Sequence, residues 1–305
     1  MTLEQLRIFV AVAEREHLTR AAAALHLTPS AVSSAVRALE DRYGVPLFHR
    51  VGRGIETTEA GRIFLGEARA TLAHAQAAEL ALSELGGLKR GTLNIQASQT
   101  IASYWLPPVL VRFHDAHPAI DVRLIVGNTQ SVARAILDGT ANLGFVEGEI
   151  DEPALSIRAV AEDRLIAVVA AKHPWADGRR ILPNDLTGAR WIVREHGSGT
   201  RSAFESALRA KGIEPAALKV AIELPSNEAV LSAVESGLFV AAVSELVAAR
   251  HLRARRLVAV GLDLPPRSFS MLRHRERYRT RASLALEEML PKRKSERIPN
   301  PSAIR

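Results

Sequence analysis

Residues 25–50 read Leu25-His26-Leu27-Thr28-Pro29-Ser30-Ala31-Val32-Ser33-Ser34-Ala35-Val36-Arg37-Ala38-Leu39-Glu40-Asp41-Arg42-Tyr43-Gly44-Val45-Pro46-Leu47-Phe48-His49-Arg50. Thr28 can accept a hydrogen bond from a first-turn N–H, and Pro29 then falls at the first helical position, where a missing N–H costs nothing. The spacing predicts a helix from there to about Asp41, stopped near Gly44. Val32, Ala35, Val36 and Leu39 share one face, which leaves Ser30, Ser33, Ser34 and Arg37 on much of the remainder. One helix thus has a packed side and a side rich in hydrogen-bond donors.

Upstream, Leu3, Leu6, Phe9, Val10 and Ala13 recur at helical spacing, and Leu18 to Leu25 form a second short helix with Thr19 placed as its N-cap. Downstream, Leu47 to Arg50, a Gly52-Arg53-Gly54 turn and Ile55-Glu56-Thr57 read as a β-hairpin with arginines at base and tip. Three helices and a hairpin outline a winged helix-turn-helix. Hydroxyls at a helix N-terminus can donate to phosphates and reach base edges, and an arginine-tipped hairpin can track the backbone or enter a minor groove. The competing reading is a helical protein-interaction domain with a solvated serine face.

From Thr58 to about Leu85 the chain is alanine-rich and free of proline, with Leu65, Ala68, Leu72, Ala75, Glu79 and Leu82 forming a weak heptad seam, and Gly86-Gly87 ends it. After Gly91 strands and helices alternate. Strands are expected at 92–96, 121–126 and 143–146 with helices at 106–114 and 131–138 between them. A second set has strands at 165–170, 191–194, 220–223 and 239–243 and helices at 200–211 and 227–236. The pattern implies two α/β lobes. A last helix is expected at 279–290, followed by a Lys/Arg/Pro/Ser tail, 296–305, expected to be mobile.

Polar residues collect at the strand-to-helix junctions. Ser98-Gln99-Thr100, Asn128-Thr129-Gln130 and Glu147 follow the three strands of the first lobe, and Gly197-Ser198-Gly199-Thr200-Arg201 and Pro225-Ser226-Asn227 open helices in the second. Helix N-termini carry unpaired N–H groups and partial positive charge, so such junctions can form a socket for a small anion or polar metabolite at the carboxyl ends of the strands. Any one of them alone reads equally as an ordinary cap. The hydroxyls with Arg194 and Arg201 favour an anion and Glu147 points the other way, so the ligand class stays open. Glu162-Asp163-Arg164 and Asp263 to Ser268 are the expected crossovers between lobes and would act as hinges.

Bulk charge adds little. The chain carries 40 Lys and Arg against 33 Asp and Glu, but residues 1–266 balance at 29 each and the whole excess lies in 267–305. The absence of Cys excludes disulfides, thiol nucleophiles and cysteine-ligated zinc. No bilayer-length apolar stretch and no leader pattern is present, so no membrane partner is implied and a cytoplasmic location is expected. The P-loop, nucleophile-elbow, dinucleotide and zincin signatures are all missing. His114 and His117 have no further ligand at suitable spacing, and neither a metal nor a cofactor is implied. The expectation is a protein that is not an enzyme.

In combination and in this order, Leu6-Arg7-Ile8-Phe9, Leu18-Thr19-Arg20-Ala21-Ala22, Leu25 to Ser33, Leu39-Glu40, Tyr43 to Arg50 and Thr57-Thr58-Glu59-Ala60-Gly61 resemble the LysR-type transcriptional regulators. That resemblance implies a winged helix-turn-helix over 1–58, a dimerising linker helix over 59–88 and a periplasmic-binding-protein-like effector domain over 91–295. Its first lobe would comprise 91–162 and 268–295, and its second 163–267. It places Thr28, Pro29, Ser30, Ser33, Ser34 and Arg37 on the recognition helix and Arg50 and Arg53 on the wing. Many members carry Gln where this chain has Pro29, which removes one means of reading adenine. It implies effector contacts by Ser98, Gln99, Thr100, Thr129, Glu147, Ser198, Thr200, Arg201 and Asn227. The expected partners are double-stranded promoter DNA, a small-molecule effector, further copies of the chain as a dimer of dimers, and RNA polymerase. The rival expectation is a small-molecule-binding or enzymatic α/β protein with an incidental helical N-terminus.

Overall fold

The computed structural model describes residues 1–51, 54–85, 91–179 and 181–291, which divide into two compact units. In the N-terminal unit, α1 (Leu3–Arg15) opens with a capping box: the Thr2 hydroxyl accepts from the Gln5 N–H and the Gln5 side chain accepts from the Thr2 N–H. α2 (Leu18–Leu25) is capped not by Thr19 but by His17, whose extended backbone lets Nδ1 accept from the Arg20 N–H at 3.4 Å, and Thr19 lies inside the helix. α3 (Pro29–Tyr43) starts where the sequence places it, with Thr28 Oγ1 accepting from the Ala31 N–H at 3.2 Å. Gly44, at φ +64°, ends it in the left-handed conformation that glycine adopts without penalty.

Strands β1 (Phe48–Val51) and β2 (Gly54–Thr57) pair antiparallel as the hairpin, and α4 (Glu59–Leu85) follows. The three-helix core has two parts. Ile8, Ala11 and Val12 meet Ala21, Ala22, Val32 and Val36, while Leu6, Phe9 and Ala13 meet Leu39, Leu47 and Ala68. Phe9 is fully buried, with ring centroids 5.4 Å from Phe48 and 4.7 Å from Phe64. One such burial stabilises by about 1.5–3 kcal/mol, and here it ties helix, wing and α4 together.

The second unit carries β3 (Gly91–Ser98), a π-helical turn (Ile101–Trp105), α5 (Pro107–Ala116), β4 (Ile120–Gly127), α6 (Thr129–Asp138) and β5 (Leu143–Val146). It continues through β6 (Leu155–Ala170), α7 (Pro183–Gly188), β7 (Arg190–Arg194), α8 (Gly199–Ala210), β8 (Lys219–Leu224), α9 (Asn227–Ser236) and β9 (Val240–Ser244). α10 (Glu245–Arg253), β10 (Leu257–Ala259), β11 (Pro266–His274) and α11 (Arg281–Met289) complete it. The strand order is β4-β3-β5-β11-β6-β9-β7-β8, with β10 on β6. β4, β3 and β5 are parallel, as are β8, β7 and β9, so each triplet is a small α/β sheet that buries apolar side chains under its helices. In the first, Leu93, Ile95, Phe113, Phe145 and Phe269 form the core; in the second, Trp191 and Val193 face α8 while Ile192 meets α9 and α10 on the other side.

The two triplets are joined by the antiparallel pair β6 and β11, in register from Pro266 opposite Arg164 to His274 opposite Leu155, with a shift at Phe269/Ser270. Glu162-Asp163-Arg164 and Asp263 to Ser268 were expected as the crossovers between lobes, and residues 162–164 and 266–268 lie inside these paired strands. The reason is a buried ion pair. Arg267 donates through Nε to Asp163 Oδ2 at 2.8 Å, and Ser244 donates to Asp163 Oδ1 at 2.6 Å, which lets a charged triplet run through a sheet. The last helix is shorter than expected, and the tail at 296–305 lies outside the described residues.

Candidate functional site

Two groups of polar residues stand out, one in each unit. In the first, Thr28, Pro29, Ser30, Ser34 and Arg37 are exposed along one side of α3 and Ser33 is half-buried. Thr28 and Ser30 hydroxyls lie 3.0 Å apart. Arg50 is exposed on β1, and Arg53 lies outside the described residues. Neither Arg37 nor Arg50 has a carboxylate within ion-pair distance among the described residues, so both cations are available to phosphates or base edges.

Glu40 sets the angle between α3 and the wing. Its carboxylate accepts from the backbone N–H groups of Leu47 at 2.7 Å and Phe48 at 3.1 Å, and Thr58 donates to the Pro46 carbonyl at 2.8 Å. A Cβ on Gly61 would collide with the Leu47 carbonyl and the Thr57 methyl, so only glycine lets α4 start this close to the wing. The surface that α3 and the hairpin present is therefore fixed by bonds on its inner side.

In the second unit, the carboxyl ends of β3, β5, β7 and β8 face one cleft between the lobes. Glu147, just past β5, accepts hydrogen bonds from Ser98 in its own lobe and from Thr200 at 3.4 Å in the other. Arg267 Nη1 donates to Thr200 Oγ1 at 3.2 Å. On the other side of the cleft, Asn227 Nδ2 donates to Thr100 Oγ1 at 3.2 Å and its backbone N–H to Gln99 Oε1 at 2.7 Å. Gln99 Nε2 and Tyr104 Oη both donate to Glu228, at 2.7 and 3.0 Å. Burial, with that bond and the charge of Glu228, pushes the Tyr104 phenol up to about 12. Ser98, Thr100, Thr129, Glu147, Ser198, Thr200 and Asn227 are all buried. At the bottom, the lobes meet backbone to backbone: a Cβ on Gly199 would stand 2.7 Å from the Gly148 nitrogen and 2.5 Å from Thr129 Oγ1.

Both parts of the chain match known proteins. Residues 3–62 match the family model described as a bacterial regulatory helix-turn-helix protein of the lysR family, and residues 86–294 match the LysR substrate binding domain. The HTH-type transcriptional regulator YeiE of Escherichia coli (strain K12) is 35% identical over 284 residues, covering 92% of this chain and 94% of that protein. The chain belongs to the LysR family of transcriptional regulators. It is a regulator and not an enzyme. Full-length CbnR, solved in complex with its target DNA, shares the fold at TM-score 0.66 and 24% identity, over 95% of this chain and 99% of that one. The regulatory domain of CcmR from Synechocystis PCC6803, solved with 2-PG, has a TM-score of 0.60 at 23% identity, over 66% of this chain and 96% of the domain.

In this LysR-family regulator, eight of the nine expected effector residues come together at the cleft. Arg201 does not join them. Its guanidinium bonds Glu205 at 2.8 Å, Glu223 at 2.5 Å and the Arg194 carbonyl at 3.1 Å. Burial opposes its charge, yet the two carboxylates outweigh that and hold its pKa above the ordinary value. Arg194 is likewise engaged: it grips Glu195 through Nε and Nη2 at 2.7 and 3.0 Å and donates to Asn227 Oδ1 at 2.7 Å. Sequence reasoning named Asp163 and Arg267 only as parts of the interlobe crossovers and passed over Glu228; the cleft partners of all three lie 67 to 129 residues away. Among the described residues no cluster of three or more potential ligands is placed to hold a metal ion, and no helix is long and apolar enough to cross a membrane.

Proposed function

We propose that this regulator binds promoter DNA through α3 and the wing, and that a small metabolite held between the lobes changes that binding. Thr28, Pro29, Ser30, Ser33, Ser34 and Arg37 face the major groove in this reading, with Arg50 and Arg53 on the flanking backbone. The observation that carries the effector half is the buried row of polar groups from both lobes, Ser98, Thr100, Glu147, Thr200 and Asn227, bonded across the cleft. Such a row couples ligand contacts to lobe closure, and a ligand shifts that closure only by its differential affinity for the open and closed arrangements. The CbnR complex with target DNA and the CcmR domain with 2-PG support the two halves by similarity.

The domain division follows the same reading: 1–58 reads DNA, 59–88 pairs with the helix of a second copy, and 91–295 senses the effector. A dimer of dimers on palindromic half-sites, contact with RNA polymerase and a cytoplasmic location belong to it as well. Mobility-shift titration of the full chain on its own upstream intergenic DNA, paired with thermal-shift screening of a metabolite panel, tests it. A true cleft ligand at 100 times its Kd adds about 2.7 kcal/mol of stability and changes the shifted species. Retention no tighter than on random DNA, or a stabilising ligand that leaves DNA binding unchanged, would overturn it.

A further inference from the structure

The cleft holds two kinds of polar group with opposite demands. Ser198 stands at the N-cap position of α8, yet its hydroxyl makes no capping bond and has no hydrogen-bond partner, and Thr129 Oγ1 has none either. Their exposures are 2% and 7%. Thr129 Oγ1 reaches the start of α8, 2.5 Å from where a Cβ on Gly199 would stand. Buried hydroxyls without partners, beside the orphan first-turn N–H groups of a 12-residue helix, are donors suited to an oxyanion.

Facing them is Glu147, 5% exposed, which accepts from Ser98 and Thr200. Among the described residues no lysine or arginine lies within ion-pair distance of it. The nearby cations are occupied, Arg194 by Glu195, Arg201 by Glu205 and Glu223, and Arg267 by Asp163. An ionised carboxylate only accepts hydrogen bonds. It repels an oxyanion whose oxygens are all bare and favours one that brings an O–H or N–H of its own.

From this juxtaposition we infer that Glu147 is a specificity-determining acceptor, and that the effector is a small oxyanion bearing its own proton donor. The ligand's bare oxygens meet Thr129, Ser198 and the α8 N–H groups, while its O–H or N–H donates to Glu147. A ligand lacking that donor leaves a buried charge facing a like charge, which is rejection built into the site. The inference rests on the reading of the cleft as the effector site.

Isothermal titration of the full chain at pH 7 with two matched pairs, inorganic phosphate against sulfate and glycolate against acetate, tests it. In at least one pair the member with the O–H is expected to bind at least ~10-fold tighter. Glu147→Gln, whose amide can donate, is expected to bring the pair within ~2-fold by gaining affinity for the bare member. Equal binding within both pairs by the wild type, no binding of any of the four, or a preference that survives Glu147→Gln overturns the inference. Ser198→Ala and Thr129→Val separate the two layers. If both variants leave a Glu147-dependent preference intact, the assigned donors are wrong; if affinity and preference ignore all three substitutions, the anions bind elsewhere and the cleft reading itself fails.

Discussion

Gly199→Ala is the substitution that most directly perturbs lobe closure. The added methyl would stand 2.5 Å from Thr129 Oγ1, 2.7 Å from the Gly148 nitrogen and 3.0 Å from Glu147 Cγ. Two of these belong to tightly held groups, one of them backbone, so the lobes must separate locally rather than a flexible side chain swing aside. Alanine is otherwise a good helix residue at the first position of α8, so the cost falls on the closed arrangement and not on the helix. Overpacking of this kind costs about 1–3 kcal/mol, which shifts an open–closed equilibrium roughly 5- to 150-fold. The chain has no cysteine, so spin labels can be placed on Asp115→Cys in one lobe and Lys211→Cys in the other without removing native thiols. Double electron–electron resonance is expected to show a longer interlobe distance in Gly199→Ala than in its parent. An unchanged distance distribution would mean that the Gly148–Gly199 approach does not govern closure.

Other consequences follow from single side chains. Glu40→Ala strips the acceptor from two backbone N–H groups and is expected to lower the stability of the DNA-binding unit by about 2–4 kcal/mol, read as an earlier thermal transition with weaker DNA binding. Arg37→Ala is expected to cost roughly 1–3 kcal/mol on the cognate site and relax preference at one base pair, while Arg50→Ala weakens all sequences alike and lowers the salt slope by about 1; competition titrations at several salt concentrations separate the two patterns. Because the Tyr104 phenol is raised in the folded state to about 12 from an ordinary 10, its stabilising contribution is complete below pH 10 and lost as the pH climbs towards 12. The ultraviolet difference titration between wild type and Tyr104→Phe is expected to centre near 12, and a midpoint near 10 would contradict both the burial of the phenol and its bond to Glu228.

The parts of this fold that were legible in sequence are those fixed by neighbours in sequence. The Thr28-Pro29 start of α3, the strand at 143–146 and the start of α9 at Asn227 match their structural bounds because a cap, a bracketed apolar run or a Ser226 acceptor sets each locally. The N-cap of α2 was misplaced because an imidazole took the role ordinarily given to a hydroxyl. The full length of β6 and all of β11 stayed hidden because Asp163 and Arg267, 104 residues apart, neutralise each other inside the sheet, and charge in a strand otherwise argues against burial. α10 was also passed over, although Ser244 and Glu245 carry an N-terminal signal, because the strand before it drew the pattern.

At the site, junction chemistry picked out Ser98, Thr129, Thr200 and Asn227, since strand ends and helix starts are readable one at a time. What could not be read was which of their partners were already taken. Arg194 and Arg201 suggested an anion seat, but in three dimensions their charge is absorbed by carboxylates and Glu147 is left unmatched. Pairings of that kind depend on side chains brought together by topology, and composition has no record of them.

In the proposed reading α3 contacts bases and the wing holds the flanking backbone. Nuclease footprinting of the full chain on the DNA upstream of its own gene tests this most directly. Protected patches whose centres are separated by about one helical turn, ~34–36 Å, or a multiple of it, and which disappear with Arg37→Ala, are the predicted result. Uniform cleavage across that DNA, or protection indifferent to Arg37, would contradict it.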